Sequence, residues 1–226
     1  MKKRLFVLLA AGMLCLTGCQ SAEEKQQAEM MEAFEQMGVE HNEVIMSVLS
    51  KEWKVLDGSD IYEFTKEGTG HISGAEFTYS CGFNDENDIM LQITMNETKE
   101  ELNYFVSADD TGHGLFLETV EGKTIQLLMS NVELLDLADE KAKRIVGEWA
   151  DKSDNRYVFD EDRKLVIKSS DSEKVGSYSV VIRDETPLLT LVIGSNTLEF
   201  EYEFVSDTAV DLRAPGTETV HTWIKK

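Results

Sequence analysis

Leu49 to Phe64 reads L-S-K-E-W-K-V-L-D-G-S-D-I-Y-E-F, and Ile145 to Phe159 reads I-V-G-E-W-A-D-K-S-D-N-R-Y-V-F. In each stretch a Trp (Trp53, Trp149) opens a short strand, a turn of Asp, Ser, Gly or Asn follows, and Tyr-x-Phe opens a second strand. The agreement continues downstream. Phe105-Val106-Ser107 answers Phe204-Val205-Ser206, and Thr124-Ile125-Gln126 answers Thr219-Val220-His221. The chain is therefore a tandem repeat. The offset drifts from 96 residues at the Trp pair to 95 at Tyr-x-Phe and 99 at Phe-Val-Ser, as small loop insertions or a bulge would produce.

From each Trp onward the apolar period is two. In the first repeat, strands are expected at residues 53–56, 61–66, 71–73, 77–82, 89–95, 102–107, 114–119 and 124–129. In the second they are expected at 149–150, 156–159, 165–168, 176–183, 188–193, 197–205, 209–213 and 219–224. Turn pairs such as Asp57-Gly58, Asp109-Asp110 and Glu121-Gly122 separate them. No connection is long enough for a crossover helix, so each sheet is expected to be antiparallel. The alternation is sharpest where Leu198, Phe200, Tyr202 and Phe204 interleave with Glu199, Glu201 and Glu203. That pattern predicts one face in the core, joined by Tyr157, Phe159 and Trp223, and one face in water. Seven such side chains would go far towards filling a narrow interior. Gly70, Gly74 and Gly82 favour the first repeat over the second as the place for a cleft or a loop site.

The remaining segments read as helical. Ser21 with Glu24 fits a capping box, and Ala28, Met31, Phe34 and Met37 recur at helical spacing up to Gly38. This piece is expected to act as a tether. A stripe of Met30, Met31, Phe34 and Met37 on a partner is the competing reading. Asn42 to Leu49 is expected as a helix packed on the first repeat. Residues 130–146 form the linker, with a short helix at 139–146 whose Lys143 and Arg144 suit its C-terminal end. It stands before Trp149 as the earlier helix stands before Trp53.

Charge limits the partners. The 226 residues carry 22 Lys and Arg against 43 Asp and Glu, a formal charge of −21. If Lys2, Lys3 and Arg4 leave with a leader, 19 bases face 43 acids, or −24. Such a surface repels phosphate backbones, which argues against nucleic acid, and repels anionic lipid headgroups.

The N-terminus joins a basic Lys2-Lys3-Arg4 to an apolar run from Leu5 to Leu16, too short for an ordinary membrane span and suited to a secretory signal. The run ends in Leu16-Thr17-Gly18-Cys19, which resembles the lipobox of bacterial lipoproteins. The resemblance implies a diacylglyceryl group on the Cys19 thiol, cleavage just before it, and attachment to the cell membrane, facing outside the cytoplasm. Two acyl chains anchor stably where one does not. Cys15 would leave with the signal. Cys81 would then be the one thiol of the folded part, and stability would rest on packing rather than disulfides. Its setting in F-T-Y-S-C-G-F predicts a buried small hydrophobe.

A second resemblance rests on the repeat itself. Gly147-Glu148-Trp149 has the G-x-W form that opens the first strand of lipocalins, where the Trp closes one end of the barrel. The run from Ile61 to Gly70 is similar to the strand–turn–strand of short lipocalin-like domains in bacterial lipoproteins. The first repeat departs from the motif, with Lys51 where Gly would stand. The resemblance implies a mainly β chain of two tandem antiparallel up-and-down (lipocalin-like) small barrels, each preceded by a short helix. The expected organisation is a signal at 1–18, a lipid-anchored helical tether at 19–41, a first barrel at 42–130 and a second at 131–226. The second is expected to fold alone.

Chemistry-bearing patterns are sparse. His41, His71, His113 and His221 are scattered away from metal-ligand spacing, and His113 reads as a surface turn residue. The oxygen-rich turns Asn84 to Asp88 and Asp160 to Asp162 lack the spacing of a calcium loop. Nucleophile elbows, zinc-protease helices and phosphate loops do not occur. No enzyme and no cofactor is expected. The expected function is a lipid-anchored, non-catalytic interaction or structural module. The alternative is a lipocalin-like binding protein for a small apolar ligand or a carbohydrate.

Overall fold

The computed structural model describes residues 22–37 and 42–226. The chain divides into two compact units. One comprises the described residues up to Ser107 together with Leu115–Met129. The other comprises Ala108–Gly114 and Ser130–Lys226.

The first unit begins with helix α1 (Ala22–Met37) and helix α2 (Glu43–Leu49). Asn42 caps α2, its Oδ1 accepting the amides of Val44 at 3.1 Å and Ile45 at 3.2 Å, so two of the first-turn donors are satisfied. Eight strands follow: β1 (Glu52–Val55), β2 (Ile61–Phe64), β3 (Thr69–Ile72), β4 (Ala75–Phe83), β5 (Ile89–Met95), β6 (Glu101–Ala108), β7 (Gly114–Thr119) and β8 (Thr124–Met129). They form a closed barrel in chain order. Trp53 pairs with Tyr62 on one side and Met129 on the other, which closes β1 against β8. Closure leaves no open edge.

Helix α1 packs on the outside of the first barrel. Phe34 is 1% exposed and packs with Met30 and Ala33 against Met90, Phe105 and Val120. The outward side of β5 and β6 is apolar at Met90 and Phe105, and the helix covers it. Met30 and Phe34 of the expected partner stripe are thus used within the unit, while Met31 stays exposed.

The second unit repeats the plan. Strand β9 (Val132–Leu134) comes first, then the single-turn α3 (Glu140–Lys143), capped by Asp139. The strands are β10 (Gly147–Ala150), β11 (Arg156–Phe159), β12 (Lys164–Lys168), β13 (Glu173–Arg183), β14 (Thr186–Ile193), β15 (Asn196–Ser206), β16 (Ala209–Arg213) and β17 (Val220–Lys225). Strands β10 to β17 close through pairing of β12 with β13. The first half of β13 pairs with β12, and its far end, Val181 to Arg183, pairs with β9. The segment expected as a plain linker therefore supplies a ninth strand, and its Leu135 lies in the core. The register of β15 against β16 shifts between Phe204 and Ser206, the mark of a β-bulge.

One turn design recurs. Asn84 Oδ1 accepts the amides of Glu86 and Asp88, Asp151 Oδ1 those of Ser153 and Asn155, and Asp160 Oδ1 those of Asp162 and Lys164. The fourth residue of each turn is left-handed: Asn87 at φ 64°, Asp154 at 58° and Arg163 at 61°. Gly68 and Gly122 fill the same slot after Thr65 and Thr119. The leading side-chain oxygen takes the amides that the tight backbone leaves over.

Candidate functional site

The lipobox residues Leu16, Thr17, Gly18 and Cys19 lie outside the described residues, as do Cys15 and His41. The barrel-end motif is described in both repeats. Trp53 and Trp149 are buried, at 3% and 1% exposure. The indole of Trp53 donates to Leu49 O at 2.9 Å, and that of Trp149 donates to Ile145 O at 2.7 Å. Each Trp therefore takes up one carbonyl at or just past the end of the short helix before it, four residues back in the chain, and ties that segment to the barrel.

A cation lies over each indole, but from opposite strands. In the first repeat it is Lys51 Nζ, 5.6 Å from the Trp53 ring and 3.7 Å from Met129 Sδ. In the second it is Lys225 Nζ, 5.2 Å from the Trp149 ring. Gly147 answers Lys51, and Lys225 answers Met129, since Trp53 pairs with Met129 and Trp149 with Lys225. Gly147 has φ 127°, and a Cβ there would meet Lys225 Cε at 3.0 Å. The departure of the first repeat from G-x-W is thus an exchange of which strand supplies the Lys.

The interiors are occupied by rings. In the first barrel Phe64 lies 5.3 Å from Phe77 and 5.2 Å from Tyr79, centroid to centroid. In the second, Tyr157 stacks on Trp223 at 3.9 Å and Phe159 meets Tyr178 at 4.9 Å. Gly70 does not open a cleft: a Cβ on it would lie 2.4 Å from the Phe77 ring and 2.1 Å from Glu63 O. The equivalent rung of the second barrel reverses the sizes. Gly70 pairs with Phe77, whereas Leu165 pairs with Gly176, so either rung carries one large and one absent side chain. Tyr202 is buried, and Phe200 and Phe204 pack against the same core. Leu198 differs from expectation at 46% exposure, because it sits near the end of β15, beyond the packed rings.

All six tyrosines belong to these interiors. Burial pushes up the Tyr62 phenol, and it pushes Tyr79, Tyr157 and Tyr178 up to about 12. Burial also raises Tyr104 and Tyr202. Tyr79 OH donates to Thr65 O and Tyr178 OH to Asp160 O, both at 2.6 Å. Each phenol closes the same turn of its repeat. Cys81 is buried, its Sγ 3.8 Å from Asn42 O, as a small hydrophobe would be.

Asp109 to Gly114 holds a polar cluster, and its His113, expected as a surface turn residue, is buried instead. His113 is 2% exposed. Its Nε2 lies 2.6 Å from Thr190 Oγ1 on β14, and its Nδ1 lies 3.6 Å from Glu199 Oε1 on β15. Ser177 and Ser179 of β13 donate to Asp110 O at 2.8 Å and Thr111 O at 2.7 Å. Gly112, at φ 77°, fits where a Cβ would meet Thr197, Thr190 and Val192 at 2.9–3.1 Å. Asp109 is buried and accepts the Thr111 hydroxyl and the amides of Thr111 and Gly114. Glu199 faces outward as expected, yet it is not simply solvated: both its oxygens take Arg183, at 2.8 and 3.0 Å. No periodic signal marks such a cluster, because it is built from a turn and three strands distant in sequence.

Outside the second barrel, Glu201, Glu203, Asp211, Arg213, Pro187 and Val220 help to line a hollow of about 310 Å³. Arg213 bonds Glu201 at 2.7 Å, and Thr222 donates to Asp211 at 2.6 Å. The acids there are thus largely used on neighbours. Among the described residues no group of three or more His, Cys, Asp and Glu is arranged to hold a metal ion.

No family model, no curated protein and no solved structure matches the chain.

Proposed function

We propose that this chain is a lipid-anchored, non-catalytic interaction or structural module, held to the membrane by a diacylglyceryl group on Cys19 and facing outside the cytoplasm. The observation that carries the reading is the contact of rings across both interiors, with Tyr157 and Trp223 stacked at 3.9 Å and Phe64 wedged between Phe77 and Tyr79. A barrel of eight strands filled by its own side chains has its outer faces left for partners. The acidic surface favours protein partners over nucleic acid.

Two measurements test the reading. In cells fed a labelled fatty acid, the wild-type chain should take up label and Cys19→Ala should not; label on the variant refutes the anchor. The full chain should show no saturable binding of an environment-sensitive apolar dye. Stoichiometric saturation would refute filled barrels and favour the carrier of a small apolar ligand instead.

A further inference from the structure

His113 is enclosed, with 0% side-chain exposure, whereas His71 is 43% exposed along its side chain and His221 is exposed. We propose that His113 makes the seating of the Asp109–Gly114 turn on β13, β14 and β15 sensitive to protons, seated while the imidazole is neutral and released when it is protonated.

Charges near the ring come from its own turn and from two strands. From its own turn these are Asp109 and Asp110. Asp109 is committed to Thr111 and Gly114, and Asp110 is exposed, offering its carbonyl to Ser177. From β13 comes Arg183, and from β15 Glu199; β14 presents the uncharged Thr190. Arg183 and Glu199 neutralise each other through two hydrogen bonds. The carboxylate oxygen facing Nδ1, Glu199 Oε1, already accepts Arg183 Nη1 at 2.8 Å, while His113 Nδ1 stands 3.6 Å away. A proton on His113 adds a cation beside a guanidinium, on a carboxylate already used, in a place without solvent contact. Losing hydration there disfavours the charged form. In the released turn the imidazole is hydrated and takes the proton in its ordinary range. Release therefore takes up a proton, and acid favours release.

The seat that release would uncover is polar and shaped: the hydroxyls of Ser177, Ser179 and Thr190, with Val192 and Thr197 where Gly112 lies. Outward strand residues of this kind, covered at neutral pH, would form a face presented only in acid.

Hydrogen exchange of the full chain, followed by mass spectrometry on peptides spanning the turn and corrected for the intrinsic rate, reads the release directly. Between about pH 7.5 and 5 the release constant of the wild type should rise, by up to about tenfold per pH unit for one linked proton. His113→Gln keeps a hydrogen-bonding group opposite Thr190 and takes no proton, so its release should be flat with pH. A flat wild type, or an equal slope in the variant, overturns the proposal. If the variant does not fold, the ring resonances of His113 in the wild type serve instead. Titration of the ring together with exchange supports the proposal, and titration of the ring while exchange stays flat overturns it.

Discussion

Trp149 ties a side chain, a helix end and a barrel end together at a single residue. Its indole N–H satisfies Ile145 O at 2.7 Å, and its ring has Lys225 above it and Phe204 beside it at 6.1 Å. The Phe204 ring in turn lies 4.0 Å from the Arg144 guanidinium. Trp149→Phe keeps the apolar area but leaves a buried carbonyl without its donor, so chemical denaturation should show a loss of about 1–3 kcal/mol. Trp149→Ala should cost about 3–5 kcal/mol, because it adds a cavity. A Phe variant as stable as the wild type would show that the indole N–H contributes nothing. G-x-W was legible in the sequence. The exchange of Lys51 for Lys225 was not, because it joins residues at opposite ends of a repeat that meet only when β1 closes on β8, and β10 on β17.

At the scale of the element, the turns decide register. Asp151 accepts Ser153 N, Asn155 N, Asn155 Nδ2 and Tyr157 OH. Burial opposes its charge, but these hydrogen bonds outweigh burial and hold its carboxyl below the usual range. A carboxyl lowered on folding stabilises the fold above its unfolded value, and that contribution is lost as pH falls through the folded value. Asp151→Ala should therefore cost about 1 kcal/mol at neutral pH, with a smaller difference from wild type in strong acid. The neighbouring Asp154 is at φ 58°, where a Cβ is a steric cost, so Asp154→Gly should change stability by less than about 1 kcal/mol. Thermal melts of the two variants check both; an Asp154→Gly variant worse than Asp151→Ala would refute this account of the turn.

Across the whole molecule the tyrosines fall into three pairs of equivalent position: Tyr62 with Tyr157 on the second strand of each barrel, Tyr79 with Tyr178 on the fourth, and Tyr104 with Tyr202 on the sixth. Because burial raises every one of them above 10.0, folding favours the neutral phenol. Their contribution is whole below pH 10 and is lost as pH rises through their folded values, about 12 for Tyr79, Tyr157 and Tyr178. Tyrosinate absorbance at pH 10 should thus be weaker in the folded chain than in the unfolded one, and the rest should appear together with loss of the near-ultraviolet dichroism of the folded state. Titration of two or more phenols near pH 10 in a chain still folded would contradict the packing described. The second unit is made of two pieces of chain. A fragment of residues 130–226 should fold as a β protein, since β10 to β17 close within it, yet be about 1–3 kcal/mol less stable than the same unit in the full chain. The loss comes from the Ser177, Ser179 and Thr190 hydroxyls that Asp110, Thr111 and His113 occupy. Trp fluorescence in denaturant compares the two; equal midpoints would show that the turn adds nothing.

What the sequence determined by itself was local and periodic: two repeats, strands of period two, hairpin-length turns and aromatic residues on the inward side. Strands β5, β7, β8, β11 and β16 lie where that alternation puts them, because each face of a strand answers to its own environment, water or core. Tertiary structure alone decided what covers an outward face. Phe34 of α1 lies on Met90 and Phe105, β9 pairs with the end of β13, and His113 is sealed against Thr190, 77 residues away. Outward residues carry no period that says whether water or another segment meets them. That is settled by which loops the closed strands bring near, and loop closure leaves no mark in local composition.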